Sequence, residues 1–171
     1  YIKMDSVKEF IALCQKSNDL ETIAHFYNTH HKEIDDEYVF ENICEYGNLE
    51  VAKWLYSMGG VNIHANDDNA FRIICEHNHL HMLKWWYPMD IWDIKISAEF
   101  NDEYESENAF CFCCRYGYLE LAQWIHSTNT IDIHTKDEEA FCLACQEGHM
   151  EVVKWLYSLD DVNIHARNDT A

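Results

Sequence analysis

EAFCLACQEGHMEVVKWLYS, residues 139–158, decides the fold, because three other stretches are the same phrase rewritten. These are YVFENICEYGNLEVAKWLYS from Tyr38, NAFRIICEHNHLHMLKWWYP from Asn69 and NAFCFCCRYGYLELAQWIHS from Asn108. Phe40, Phe71, Phe110 and Phe141 recur at intervals of 31, 39 and 31 residues. Cys44, Cys75, Cys114 and Cys145 keep those intervals, as do Trp54, Trp85, Trp124 and Trp155. Four units in one frame imply a solenoid, in which each unit buries its apolar face against its neighbours.

Within a unit, Phe71, Ile74 and Cys75 fall on one face of a short helix. Three residues after the repeated cysteine stand Gly47, Gly117 and Gly148, where a helix stops in a left-handed conformation. The second unit has Asn78 there, the next best residue for that conformation. A second helix is predicted from about Leu49 to Ser57, with Val51, Leu55 and Met58 inward. The four repeated tryptophans are expected in the core, and Trp86 and Trp92, at positions otherwise held by Leu55 and Val61, are expected to be buried with them. Helices this short are unstable alone in water, so packing must hold them.

The units are joined by VNIHAND from Val61, DIHTKD from Asp132 and VNIHARND from Val162. Alternating apolar and polar residues followed by Asn/Asp clusters predict an extended stretch with a tight turn. The second unit reads WDIKISA from Trp92, with Lys95 where the others carry His64, His134 and His165. Extra residues at about 99–106 account for its longer spacing. The expected partition is a diverged repeat or cap at 1–35, then repeats at 36–67, 68–106, 107–137 and 138–168. Residues 169–171 begin a further repeat, so the chain is expected to be part of a longer array.

Composition narrows the classes. Hydrophobic residues at 48% and aromatics at 14% can build a core, which argues against disorder. No apolar run reaches the roughly 18 residues a membrane span needs, and no charged-then-apolar leader opens the chain. The net charge of −19, from 31 acids against 12 bases, disfavours nucleic acid and favours a basic partner. The CxxC spacings Cys111–Cys114 and Cys142–Cys145 lie inside predicted helices, where they follow from the repeat. They read as packing residues, not zinc ligands. Reduced thiols point to a cytoplasmic protein. Neither metal nor cofactor is expected.

The pattern in GHMEVVKWLYSLDDVNIHA from Gly148 and GNLEVAKWLYSMGGVNIHA from Gly47 resembles ankyrin repeats, over nearly all of residues 36–171. The family's Thr-Pro-Leu-His opening is replaced here by Asn-Ala-Phe, so Asn69 and Asn108 are expected as helix N-caps. The resemblance implies an all-α ankyrin-repeat solenoid of stacked helix-turn-helix units joined by short hairpin loops. The Asn-Ala-Phe, Lys-Trp-Leu-Tyr-Ser and Asn-Ile-His-Ala wording is similar to the multi-copy ankyrin proteins of giant DNA viruses.

That resemblance implies recognition at the hairpin tips and the exposed ends of the first helices. The tips are His64, Asn66, Asp67 and Asp68, then His134, Lys136, Asp137 and Glu138. The helix ends are Glu45 and Tyr46, Glu76 and His77, Arg115 and Tyr116, and Gln146 and Glu147. The insertion adds an acidic, aromatic finger: Glu99, Phe100, Asp102, Glu103, Tyr104 and Glu105. Phe and Tyr there are anchors, and the carboxylates suit a Lys/Arg-bearing partner. His77, His79 and His81 lie close together but read as turn chemistry, with no HExxH spacing.

No phosphate loop, GxSxG elbow or isolated nucleophile with a base occurs, so catalysis is not expected. The expected function is a protein-interaction scaffold, monomeric, binding a partner protein along the hairpin and groove face. A viral protein would meet a host factor in the host cytoplasm. The alternative is a structural element that associates with itself in a particle or larger assembly.

Overall fold

The structure is a computed structural model that describes residues 2–17, 19–89, 99–101, 106–128, 131–159 and 162–163. Trp92, Lys95, residues 102–105, His165 and the expected repeat start at 169–171 lie outside the described residues. The chain divides into two compact units, residues 1–94 and 95–171. In the first, helix pairs run α1 (Ile2–Lys16) and α2 (Leu20–His30), α3 (Asp36–Tyr46) and α4 (Leu49–Ser57), α5 (Ala65–Glu76) and α6 (Leu80–Trp86). In the second, a strand pair β1 (Glu99–Asn101) and β2 (Ser106–Asn108) precedes α7 (Ala109–Arg115) and α8 (Leu119–Ser127), then α9 (Thr135–Gln146) and α10 (Met150–Tyr157).

The first helix of each pair packs on the first helix of the next: α1 on α3, α3 on α5, and α7 on α9. The repeated residues make that layer. Phe10, Phe40, Phe71 and Phe110 are at most 1% exposed, and Cys14, Cys44, Cys75 and Cys114 at most 2%. Burying such a side chain contributes about 1.5–3 kcal/mol, which offsets the poor intrinsic stability of helices of nine to twelve residues. The fold is all-α in its repeats.

The turns follow the local chemistry. Gly47, Gly117 and Gly148 have φ of 70°, 71° and 76°, and Asn78 takes 55°. At the first, Gly47 N–H donates to the Cys44 carbonyl at 3.2 Å and Asn48 N–H to Ile43 at 3.3 Å, closing the helix end. Asp35, Asn48 and Asn108 cap their helices by accepting from Tyr38, Val51 and Cys111 N–H. Asn69 does not cap. It lies inside α5, and its side-chain oxygen accepts from Arg72 Nη2 at 3.4 Å.

Two expectations about the core are corrected. Trp54, Trp85, Trp124 and Trp155 are half-buried, whereas the residues after them, Leu55, Trp86, Ile125 and Leu156, are buried. The one-residue offset is 100° of helix turn, which directs the later residue at the first helix and leaves the tryptophan beside the neighbouring pair. Trp86 is buried as expected, edge-on to Phe40 at 6.1 Å, with its Nε1 lacking a hydrogen-bond partner. Met58 is 47% exposed, because α4 has ended at Ser57 and Met58 is its C-cap.

The insertion folds back on itself. β1 and β2 pair antiparallel, Glu99 opposite Asn108 and Asn101 opposite Ser106, so the extra chain emerges as a hairpin that leads directly into the α7 N-cap.

Candidate partner-binding surface

The links between repeats hold the residues expected at the tips. Each begins with a local turn: Asn62 Oδ1 accepts from His64 N–H at 3.1 Å, and Asp132 Oδ1 accepts from His134 N–H at 3.0 Å. Three successive residues in the left-handed region come next in each link. Asn66, Asp67 and Asp68 have φ of 54°, 55° and 61°; Lys136, Asp137 and Glu138 have 51°, 60° and 61°. Such a conformation costs an L-residue about 1–2 kcal/mol each, and neither Lys nor Glu is among the residues that tolerate it.

The third residue of each turn supplies the compensation. His64 Nδ1 lies 2.6 Å from Asp68 Oδ1, and His134 Nδ1 lies 2.7 Å from Glu138 Oε1. Asn163 N–H also donates to Glu138 Oε1 at 3.2 Å. Asp68 is 7% exposed and Glu138 6%. The expectation that both are free tips is corrected: each carboxylate turns inward, because a hydrogen bond to imidazole holds the turn closed. Glu139, 5% exposed, is a third buried acid, with Lys136 Nζ 3.6 Å away.

The outward residues of these turns are Asn66, Asp67, Lys136 and Asp137, all exposed, with His134 exposed and His64 half-buried. Asn66 Nδ2 donates to Glu41 Oε1 at 2.9 Å, and Arg72 Nη2 donates to the Asn66 carbonyl at 3.1 Å. The first of these contacts ties the turn to α3 and closes one wall of a cleft of about 410 Å³. Asp35, Glu37, Tyr38, Glu41, Ala65 and Asn66 line it. Tyr38 is 52% exposed, so an aromatic ring stands in an acid-walled groove.

Of the expected helix-end residues, Tyr46 and Tyr116 are 48% and 44% exposed, while Arg115 is half-buried. In the insertion only the backbone of Glu99 and Phe100 is described. Asp102, Glu103, Tyr104 and Glu105 lie outside the described residues.

The histidines expected as surface turn chemistry join one repeat to the one before. His79 Nε2 lies 2.9 Å from the Glu45 carbonyl, and His81 Nε2 lies 2.9 Å from that of Gly47. A Cβ on Gly47 would come within 2.7 Å of the His79 ring, and one on Gly117 within 2.5 Å of His149. Glycine is therefore required twice at these turns, for its φ and for the ring above it. Burial holds the His79 pKa below its ordinary 6.5, with the His81 and His77 charges acting the same way and the Glu45 carbonyl opposing.

Residues 73–168 match the family model described as Ankyrin repeats (3 copies). The chain belongs to the ankyrin-repeat family. No curated protein matches it. Ankyrin repeats are generally protein–protein interaction modules, and the ankyrin frame here exposes tyrosines and acids along α3 and the turns. Among the described residues no helix is long and apolar enough to cross a membrane, and no group of three or more His, Cys, Asp or Glu side chains is placed to hold a metal ion.

The contrast between repeats misses the cleft walls Asp35, Glu37, Tyr38 and Glu41. Their signal is the acidic run IDDEYVFE from Ile34, which opens α3. Acids there also favour the helix N-terminus, so the run has a local explanation that hides its place in a groove.

Proposed function

We propose that this ankyrin-repeat protein is an adaptor that captures a partner protein through a Lys/Arg-bearing segment. The observation that carries this reading is the cleft between α3 and the Asn66 turn, with carboxylates on its walls and half-exposed Tyr38 as an anchor. A net charge of −19 adds a long-range attraction for a basic surface. A planar guanidinium suits both a carboxylate pair and the face of a tyrosine.

The binding set is completed by the outward turn residues Asn66, Asp67, Lys136 and Asp137, by Arg115 and Tyr116, and by the inserted hairpin. Asp68 and Glu138 contribute by holding the turns in shape. The likeness to giant-virus ankyrin wording supports a host protein, met in the cytoplasm, as the partner.

Fluorescence anisotropy with a labelled Arg-rich peptide tests the reading. Reversing Glu37→Lys and Glu41→Lys together is expected to weaken binding by roughly a hundredfold at low salt, two charge contacts of order 1.4 kcal/mol each. Added salt is expected to reduce the difference. Equal affinity for the two proteins sinks the proposal.

A further inference from the structure

At every repeat junction within a unit, the later repeat lays two groups on the earlier one. The residue before its second helix reaches back to the preceding turn. Asn48 Nδ2 donates to the Cys14 carbonyl at 2.8 Å, His79 lies over Gly47, and His149 lies over Gly117. Six residues on, a tryptophan meets a ring on the preceding second helix, always edge-on. Trp54 meets Tyr27 (5.4 Å, 88°), Trp85 meets Tyr56 (5.9 Å, 85°) and Trp155 meets His126 (5.8 Å, 84°). Edge-to-face pairs of this kind add about 0.5–1.5 kcal/mol beyond area.

The outer face of the α9–α10 repeat has both receiving positions open. Among the described residues a Cβ on Gly148 would meet nothing within 4 Å. Tyr157, placed as Tyr56 and His126 are, is 64% exposed, and Met150 is 57% exposed. A hollow of about 270 Å³ runs along this turn, lined by Gly148, His149, Met150, Glu151 and Val152 together with Gly117.

We infer that the face from Gly148 to Tyr157 is a docking surface for a further repeat in this chain's own register. That repeat lays an imidazole or carboxamide over Gly148 and, six residues later, a tryptophan edge-on against Tyr157. The face is continuous with the repeat–repeat interface and has the same receiving groups, so the groups that fill it are already defined. The occupant is joined in cis, because an isolated pair of short helices does not fold by itself. A second copy of this chain, stacked by its first repeat, offers neither group. Asp19, the counterpart of Asn48, is spent capping α2, and His25 stands at the tryptophan position.

The test extends the full chain after Ala171 with a copy of residues 141–171, which keeps the 31-residue frame from Phe141. Nitration of Tyr157 by tetranitromethane, mapped by mass spectrometry, reads the face. Protection of at least roughly tenfold is expected relative to the unextended chain. It is expected to vanish when the appended copies of His149 and Trp155 are replaced by alanine. Equal nitration in all three proteins overturns the inference, as does equal protection by the alanine extension. An extension that trypsin removes as fast as an unfolded tail overturns it too. So does concentration-dependent protection in the unextended chain, which assigns the face to a second copy.

Discussion

The turn at Gly47 and the turn at Asn66–Asp68 both take the chain through the left-handed region, and they hold it there by opposite means. At Gly47 the conformation carries no steric penalty, and the missing side chain makes room for the His79 ring. At Asn66–Asp68 three residues with side chains adopt it in succession, and a buried carboxylate bound to His64 compensates. The first turn is written in one residue. The second exists only as a cooperative set, in which imidazole, carboxylate and neighbouring helix must all be present. Its repetition at Lys136–Glu138, with almost no residue identity between the two, shows that the His–carboxylate pair and not the turn residues defines it.

Substitutions separate the two mechanisms. Gly47→Ala combines left-handed strain with a clash against the His79 ring and is expected to destabilise by about 2–5 kcal/mol. Gly148→Ala, with nothing above it, keeps only the strain and is expected to lose about 1–2 kcal/mol. Urea denaturation of both variants checks the ordering, and equal losses would remove the claim that the ring demands glycine. Next in size is Glu138→Ala, expected to lose about 1.5–3 kcal/mol, the range for a hydrogen bond to a charged group. Glu138→Gln, which keeps an acceptor, is expected to recover more than half of that. A Glu138→Ala protein as stable as the parent breaks the cooperative account.

A smaller effect is expected from pH. The His79 pKa is lowered on folding, so the folded state binds a proton less readily than the unfolded state. Its contribution is complete above 6.5 and is lost as pH falls below 6.5. An NMR titration of the ring is expected to give a midpoint under 6.5, and His79→Gln is expected to flatten the acid side of the stability profile. A midpoint at or above 6.5 would falsify the burial argument.

The smallest expected effect concerns the dry layer beneath both turns. Burial pushes the Cys14 thiol up to about 12 and Cys44 higher still, whereas Cys145 is raised less and is half-buried. Iodoacetamide is expected to modify Cys145 first, with little change in stability. Rapid modification of Cys44 in the native protein contradicts the packing.

Much of this is readable in the chain itself. Gly47, Gly117 and Gly148 announce the helix ends because only local sterics are involved. Phe40 and Cys44 announce the core face because their four-residue spacing brings both onto one side of a helix. Periodicity misplaces Trp54 because adjacent positions on a nine-residue helix share much of the same signal. Only the neighbouring pair, with Tyr27 edge-on to the ring, distinguishes Trp54 from Leu55. Asp68 and Glu138 are misplaced for another reason: an acid beside Asn or Lys in a polar link looks solvated until its histidine partner is seen.

By itself the sequence determined the repeat, its frame, the helix-turn-helix unit and the residues between first helices, since these depend on periodicity and on single-residue conformational preference. Tertiary structure alone decided which acids face water, which ring covers which glycine and where Tyr38 stands among carboxylates. Those outcomes depend on groups brought together from 25 to 34 residues apart, as in Asn66 with Glu41 and His79 with Glu45, and no local pattern encodes that approach.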